Sequence, residues 1–211
     1  MDYPMNIYSY FDSSTGFRGQ AELIATWQAS WQRHGWTPSM LTPRHASRHP
    51  RYQEFLAKIN TLPTVNVRAY ENACYLRWLA LDQVGGGFMC DYDVMNYGLK
   101  PYSSKISLDF FHPQYIPAFV YANKAGCKQL INEIIGYQPA EPHVSDMIVI
   151  MKLGFRLNGG KHKSKEELIC CEYGDDKFDW LHKPTLHFAA GAVHAKHGQI
   201  SKVDAIRRCP R

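Results

Sequence analysis

One segment, Glu71–Val94, constrains the fold of this chain more than any other. Its first half carries small and apolar residues at helical spacing: Ala73, Leu76, Ala80 and Val84, with Leu79 beside them. Three glycines at 85–87 indicate the end of that helix, because glycine accepts the left-handed backbone that a helix end requires. The apolar run 88–90 that follows is typical of a buried strand. The segment therefore predicts a helix, a glycine turn and a strand, in that order.

Two aspartates, Asp91 and Asp93, follow the predicted strand at its carboxyl end. Residues i and i+2 of an extended chain point the same way, so the two carboxylates can share a face. Carboxylates held this close repel each other unless a cation or hydrogen bonds compensate them. Oxygen ligands suit Mg²⁺ or Mn²⁺, which often keep positions open for phosphate groups. A polar turn is the other interpretation of two aspartates alone, but the helix, glycines and apolar strand before them favour a metal site.

The sequence RWLALDQVGGGFMCDYDV, residues 77–94, resembles the sugar-nucleotide-binding core of glycosyltransferases with the GT-A fold. It is most similar to the sugar-binding-region family with a DxD motif, which includes retaining mannosyl- and galactosyl-type enzymes. The resemblance implies an α/β fold: a single Rossmann-like GT-A domain over 1–211, with a central mixed sheet flanked by helices. Residues 1–100 would bind the nucleotide sugar. Residues 101–211 would bind the acceptor and carry a late metal-ligand motif.

The same resemblance implies roles for individual residues. Asp91 and Asp93 would hold a divalent metal, Mn²⁺ or Mg²⁺, on the diphosphate of the donor. Arg77 would lie near the donor and take part in catalysis. Members of this group often carry an aspartate three residues before the arginine. Cys74 stands at that position here, so the contact which that aspartate makes to the sugar is not implied for this chain.

A second run, TLHFAAGAVHAK at residues 185–196, resembles the late motif of metal-dependent GT-A enzymes. By this resemblance His187, at a strand end, would be the third metal ligand. A small-residue turn would bring Gly191 close to the diphosphate, and Lys196 would contact it. His194 could replace or assist His187 or Lys196. A mixed set of oxygen and imidazole ligands suits a borderline ion such as Mn²⁺.

Asp146 and two tyrosines complete the candidate site. Asp146 precedes a predicted helix at 147–153, where free N–H groups favour a carboxylate, so it could serve as a helix cap. By resemblance, an acidic residue at this point faces the acceptor or the sugar and is the general base of inverting members. Both interpretations stay open. Tyr8 and Tyr10 lie on a predicted first strand, Met5–Tyr10, whose end would face the ligand, and either could stack on the donor base.

The rest of the chain predicts strands and helices that alternate, which indicates a sheet covered by helices on both faces. The chain has 211 residues, of which 45% are apolar and 20% are charged. This length and composition are typical of a soluble domain with a sizeable core. Helices are predicted at 20–33, 51–59, 124–135 and 202–208, strands at 36–41, 106–111, 118–122 and 168–173, and loops at 42–50 and 94–101.

The net charge of +5 comes entirely from residues 150–211, which contain 12 basic and 7 acidic side chains. The densest cluster of positive residues lies at 155–165. Such an excess favours a polyanionic partner, namely a nucleotide diphosphate, a phosphorylated glycan or nucleic acid, although a solvated basic face is a simpler explanation.

The location of the protein is predicted to be cytoplasmic. No apolar run approaches the roughly 20 residues of a membrane span, and no signal peptide is visible at the amino terminus. The six cysteines form no CxxC pair, which indicates small buried side chains in a reducing compartment and argues against a structural zinc site.

Together these features predict a metal-dependent hexosyl- or pentosyltransferase. It would use a nucleotide-diphosphate sugar, with a UDP-sugar favoured, and an acceptor hydroxyl on a glycan or lipopolysaccharide. One alternative is a phage-type DNA glycosyltransferase that acts on a hydroxylated base, because the charge excess lies in the acceptor half. Another is a binding module that holds the nucleotide sugar without transferring it.

Overall fold

A computed structural model describes residues 5–15, 20–161 and 169–211 of the chain. Within these ranges the chain forms eight strands and eight α-helices. The strands are β1 (Met5–Tyr10), β2 (Trp36–Leu41), β3 (Gly86–Cys90), β4 (Val94–Asn96), β5 (Leu108–Phe110), β6 (Phe119–Asn123), β7 (Cys170–Glu172) and β8 (Thr185–His187). The helices are α1 (Gln20–Gln32), α2 (Pro43–Ala46), α3 (Tyr52–Thr61), α4 (Arg68–Gln83), α5 (Lys124–Gly136), α6 (Asp146–Leu157), α7 (Ala190–His197) and α8 (Lys202–Arg208).

The main sheet has five strands in the order β2-β1-β3-β6-β5. β1 runs parallel to β2 and β3, whereas β6 runs antiparallel to both of its neighbours. The sheet is therefore mixed, and the prediction of an α/β fold with a central mixed sheet is confirmed. Among the described residues, no helix is both long and apolar enough to cross a bilayer.

Two hydrophobic clusters cover the two faces of this sheet. Neighbouring residues of β3 show the division, because Met89 packs with helices α3 to α6 whereas Phe88 and Cys90 pack with α1 and the smaller sheet. Successive side chains of a strand point to opposite faces, so a strand buried on both sides reads as a continuous apolar run. This is why residues 88–90 are uniformly apolar.

A glycine turn joins α4 to β3, as the sequence predicted. Gly85 donates its N–H to the carbonyl of Asp82, and Gly85 and Gly86 both have positive φ, at +94° and +84°. A Cβ on Gly86 would lie 2.4 Å from the carbonyl oxygen of Ala122 on β6. Residue 86 must therefore be glycine for two reasons, its backbone conformation and its close approach to the neighbouring strand.

The smaller sheet has three strands in the order β4-β8-β7, and only three residues separate β4 from the end of β3. The backbone between the two sheets is fixed on both sides. Asp91 donates its N–H to the carbonyl of Ala118, and Phe188 donates to the carbonyl of Asp93. The two aspartates thus lie at the junction of the sheets, at the carboxyl end of β3.

Several local predictions were wrong. The predicted loop at 42–50 contains α2. Thr42 caps this helix, and the ring of His45, rather than an acidic side chain, accepts the backbone N–H of Thr42. The predicted loop at 94–101 begins with β4, which forms because it pairs with the distant β8. The predicted small-residue turn at Gly191 is the first turn of α7.

Other predicted segments extend beyond the described ranges. Within the basic cluster at 155–165, residues 162–165 lie outside them. Of the predicted strand at 168–173, residue 168 also lies outside, and the described part forms β7. All six cysteines are free thiols, and every one except the half-buried Cys74 is buried, as the sequence predicted.

Candidate metal centre

Three predicted ligands come together where the two sheets meet. Asp91 and Asp93 follow β3, and His187 ends β8, where it pairs with Val94 of β4. One ligand atom from each of the three side chains lies within 4.8 Å of the others. The Nε2 atom of His187 is 3.4 Å from the Oδ1 atom of Asp93. Strand pairing therefore unites residues that are almost 100 positions apart in the sequence.

The donor set fits a divalent cation. Among the described residues, the Oδ1 atom of Asp93 is buried and makes no hydrogen bond, and its charge is opposed by the imidazole of His187 at 3.4 Å. A buried carboxylate oxygen without a partner is costly, so this atom is suited to a cation. Two carboxylates and one imidazole form a mixed oxygen and nitrogen set, which Mn²⁺ accepts. A metal held here would be bound by Asp91, Asp93 and His187.

The charged side chains of this group shift one another's pKa values. Burial alone would raise the pKa of Asp93, but His187 and Lys202 hold that pKa well below its usual range. Burial would lower the pKa of His187, yet the carboxylates of Asp93 and Glu172 raise it well above 6.5. Asp91 is only partly buried, but the loss of solvent around it is still the largest effect and raises its pKa, although Arg77 opposes the change. In the metal-free protein, Asp93 and His187 therefore form an ionised pair.

Arg77 lies beside the three ligands and joins two carboxylates. Its Nη1 atom donates to Asp91 at 2.5 Å, and its Nε and Nη2 atoms donate to Oδ2 of Asp146 at 3.0 and 2.5 Å. The indole N–H of Trp78 donates to the same oxygen at 3.0 Å. Burial would lower the pKa of Arg77, but Asp146 and Asp91 raise it, so the guanidinium stays charged.

Asp146 is not a helix cap. Ser145 caps α6, since its side chain accepts the N–H of Ile148, and Asp146 is the first residue inside the helix. The side chain of Asp146 turns inward to Arg77 and is almost fully buried, at 3% exposure. A serine precedes the aspartate, and serine is a preferred cap residue, so the order Ser145-Asp146 contained the signal that distinguishes the two roles.

Three further side chains surround the group, and the sequence did not single them out. Glu172, at the end of β7, lies 2.8 Å from Nδ1 of His187. His112 is buried, and its Nε2 atom lies 3.3 Å from the same carboxylate. Lys202, the first residue of α8, donates to Oδ2 of Asp93. No short-range pattern links these residues to the aspartates, because they converge only through the smaller sheet and the packing of α8.

A groove of about 420 Å³ opens next to the metal centre and contains Lys196. Glu172 lines this groove and also contacts His187, so the groove and the metal centre share a wall. The ammonium of Lys196 lies over the ring of Trp180, 4.7 Å from its centroid. Gly191 and His194 lie exposed on α7.

The two tyrosines of β1 that were predicted to stack on the donor base differ in how exposed they are. Tyr10 is 9% exposed and packs in the core against α4, so little of its ring can face a ligand. Tyr8 is half-buried, and its ring approaches Gly87 in the glycine turn.

Cys74 is half-buried, and the charges of both Asp146 and Asp91 act on its thiol.

Residues 3–110 match a family model described as Domain of unknown function (DUF8765). The matched segment contains Arg77, Asp91 and Asp93 but ends before Asp146 and His187. No curated protein and no solved structure matches the chain.

Proposed function

The chain belongs to the family described as Domain of unknown function (DUF8765), and we propose that it is a metal-dependent glycosyltransferase that uses a nucleotide-diphosphate sugar. The observation that carries the proposal is the grouping of Asp91, Asp93 and His187 at the carboxyl end of β3, with Arg77 beside them. In α/β sheets, ligands bind outside the carboxyl ends of the strands. The mixed sheet is compatible with the GT-A domain that this proposal requires.

Sugar transfer from such a donor releases a nucleoside diphosphate, whose developing negative charge must be neutralised. A bound Mn²⁺ or Mg²⁺ would supply Lewis-acid stabilisation of that charge. The side chains of Asp91, Asp93 and His187 would hold the ion. Lys196 in the adjoining groove would add a fixed positive charge near the diphosphate, which is stabilisation of the preorganised kind.

Asp146 has a specific part in this proposal. Its Oδ2 atom accepts three hydrogen bonds, two from Arg77 and one from Trp78. The carboxylate is almost fully buried against the guanidinium and the indole, so it is not open to an acceptor hydroxyl. This arrangement supports a positioning role for Asp146, which would orient Arg77 toward the donor, rather than the role of a general base. It also agrees with the similarity of the sequence to retaining members.

Thermal denaturation with a panel of nucleoside diphosphates, with and without Mn²⁺, tests the proposal. A ligand that binds only the folded state raises the melting temperature by mass action. We expect one nucleotide, with UDP favoured, to raise the melting temperature only when Mn²⁺ is present. Asp93→Asn should abolish the increase. If no nucleotide stabilises the protein, the glycosyltransferase proposal is wrong.

A positive result would then justify a screen of acceptors. The panel should contain glycans, lipopolysaccharide fragments and duplex DNA with hydroxylated bases, because the excess of positive charge lies in residues 150–211. DNA binding that weakens steeply as salt rises would support a DNA acceptor. Release of free sugar without transfer to any acceptor would still distinguish an enzyme from a binding module.

A further inference from the structure

The three ligand side chains share one arrangement: each is held at one atom by an outer partner and turns another atom toward the cluster. Arg77 holds Oδ1 of Asp91, Lys202 holds Oδ2 of Asp93, and Glu172 holds Nδ1 of His187. We propose that Glu172 and Lys202 are positioning residues of the metal centre. This inference rests on the metal-binding part of the proposed function, not on the identity of the donor.

Glu172 sets the orientation of the His187 ring. The 2.8 Å contact between its carboxylate and Nδ1 keeps a proton on Nδ1, so that Nε2, once a cation displaces its own proton, presents its lone pair on the opposite side of the ring. That side faces Oδ1 of Asp93 at 3.4 Å. Histidines that bind metals almost always donate their other N–H to a carboxylate, carbonyl or water in this manner.

His112 extends the same chain of contacts. The backbone N–H of Gln114 points to Nδ1 of His112, 3.4 Å away, so the proton of this ring lies on Nε2. Nε2 in turn lies 3.3 Å from Oε1 of Glu172, the oxygen that His187 also contacts. The ligand histidine is therefore hydrogen-bonded to the Glu172 carboxylate, and a second, buried histidine lies 3.3 Å from the same oxygen.

Lys202 contacts the carboxylate of Asp93 at the oxygen that does not face His187. The side chain of Ser201 caps α8 by accepting the N–H of Asp204 at 3.0 Å. This cap fixes the first turn of the helix, from which the side chain of Lys202 extends. The ammonium donates to Oδ2, whereas Oδ1 stays buried without a hydrogen bond and faces Nε2 of His187. A carboxylate held at one oxygen presents the other in a single direction.

Glu172 and Lys202 carry opposite charges, so substituting each of them distinguishes a positioning effect on metal binding from an effect of charge alone. Removing the positive charge of Lys202 should strengthen cation binding if charge alone matters, whereas removing the negative charge of Glu172 should weaken it. If both residues position ligands, both substitutions weaken binding. Loss of such an outer partner typically reduces metal affinity about 10- to 100-fold.

Titration of the full chain with Mn²⁺, followed by the electron paramagnetic resonance signal of free Mn²⁺ and without any nucleotide, tests the inference. We expect one bound ion in the natural protein, and a Kd about 10- to 100-fold higher in both Glu172→Gln and Lys202→Met. Lys202→Arg keeps the charge and the donor, so it should bind within about threefold of the natural protein. Arg208→Met removes an exposed positive charge from the same helix and should leave the Kd unchanged.

Several results would overturn the inference. Tighter binding by Lys202→Met would make Lys202 a competitor of the metal, and unchanged binding in both variants would leave the two residues without a positioning role. A second bound ion lost only in Glu172→Gln would instead indicate a separate site, since one ligand atom each from His112, Glu172 and His187 also lie within 4.8 Å of one another. Absence of Mn²⁺ binding by the natural protein would refute it outright.

Failure of the proposed function gives a different pattern. If the Mn²⁺ titrations follow the expected order but no nucleoside diphosphate stabilises the protein, the metal centre stands and the glycosyltransferase proposal falls. Thermal melts of each variant separate loss of ligand geometry from loss of fold. The side chain of Lys202 is 31% exposed, so its substitutions still test the inference if the Glu172 variant does not fold.

Discussion

Arg77→Met should destabilise the metal-free protein by about 3 kcal/mol, because it leaves Asp146 buried without its cation. Removing one partner of a buried ion pair typically costs about 3–5 kcal/mol. The lower end applies here for two reasons. Asp146 keeps its hydrogen bond from Trp78, and the side chain of Asp91 is 35% exposed, so water compensates part of that charge. In a domain of this size, a loss of about 3 kcal/mol lowers the melting temperature by roughly 6–12 °C.

Urea denaturation in the presence of a chelator measures this loss. The matched control is the double variant Arg77→Met with Asp146→Asn, which removes the guanidinium and the buried charge together. We expect the double variant to recover at least half of the stability lost by the single variant, because the penalty comes from the isolated carboxylate. A loss below about 1 kcal/mol in Arg77→Met, or no recovery in the double variant, would refute this account of the cluster.

Three other predictions follow from the same structure. Gly86→Ala should destabilise the protein by at least about 2 kcal/mol in urea denaturation, because the new Cβ would meet the carbonyl oxygen of Ala122 and because residue 86 has a positive φ. A stability near that of the natural protein would contradict the turn geometry. Mn²⁺ affinity should rise as pH increases from 6 to 8, by up to about tenfold per unit, because the carboxylates around His187 raise its pKa and the metal must displace that proton. An affinity independent of pH would exclude His187 as a ligand. Lys196→Met should weaken nucleoside diphosphate binding about tenfold in calorimetric titrations with Mn²⁺ present, whereas equal binding would remove the groove from the donor site.

The main sheet and its helices were predictable because their signals are local. The helix, glycine turn and strand from residue 71 to residue 90 appear at nearly the predicted bounds, since helical spacing, positive-φ glycines and a doubly buried strand each leave a mark within a few residues. α2 was missed because a histidine completes its cap. β4 was missed because this three-residue strand depends on pairing with β8, whose residues are 89 to 93 positions away in the sequence.

The candidate site was predictable only in part. The positions of Asp91, Asp93 and His187 could be inferred from two sequence motifs, and the structure brings all three together. Glu172 and Lys202 could not be inferred in this way. A single glutamate at a strand end and a single lysine at a helix start are common in any chain, and only the three-dimensional arrangement places them against the ligands.

If a metal at Asp91, Asp93 and His187 activates a nucleotide sugar, release of nucleoside diphosphate from the donor must depend on that metal. Purified protein should be incubated with a set of UDP- and GDP-sugars, with Mn²⁺ or with a chelator, and the nucleoside diphosphate released should be quantified. We expect one donor to yield nucleoside diphosphate only with Mn²⁺, with transfer or slow hydrolysis as the fate of the sugar, and at least about a 100-fold decrease in Asp93→Asn. Release at the same rate in the chelator or in Asp93→Asn, or no release from any donor, would contradict the claim.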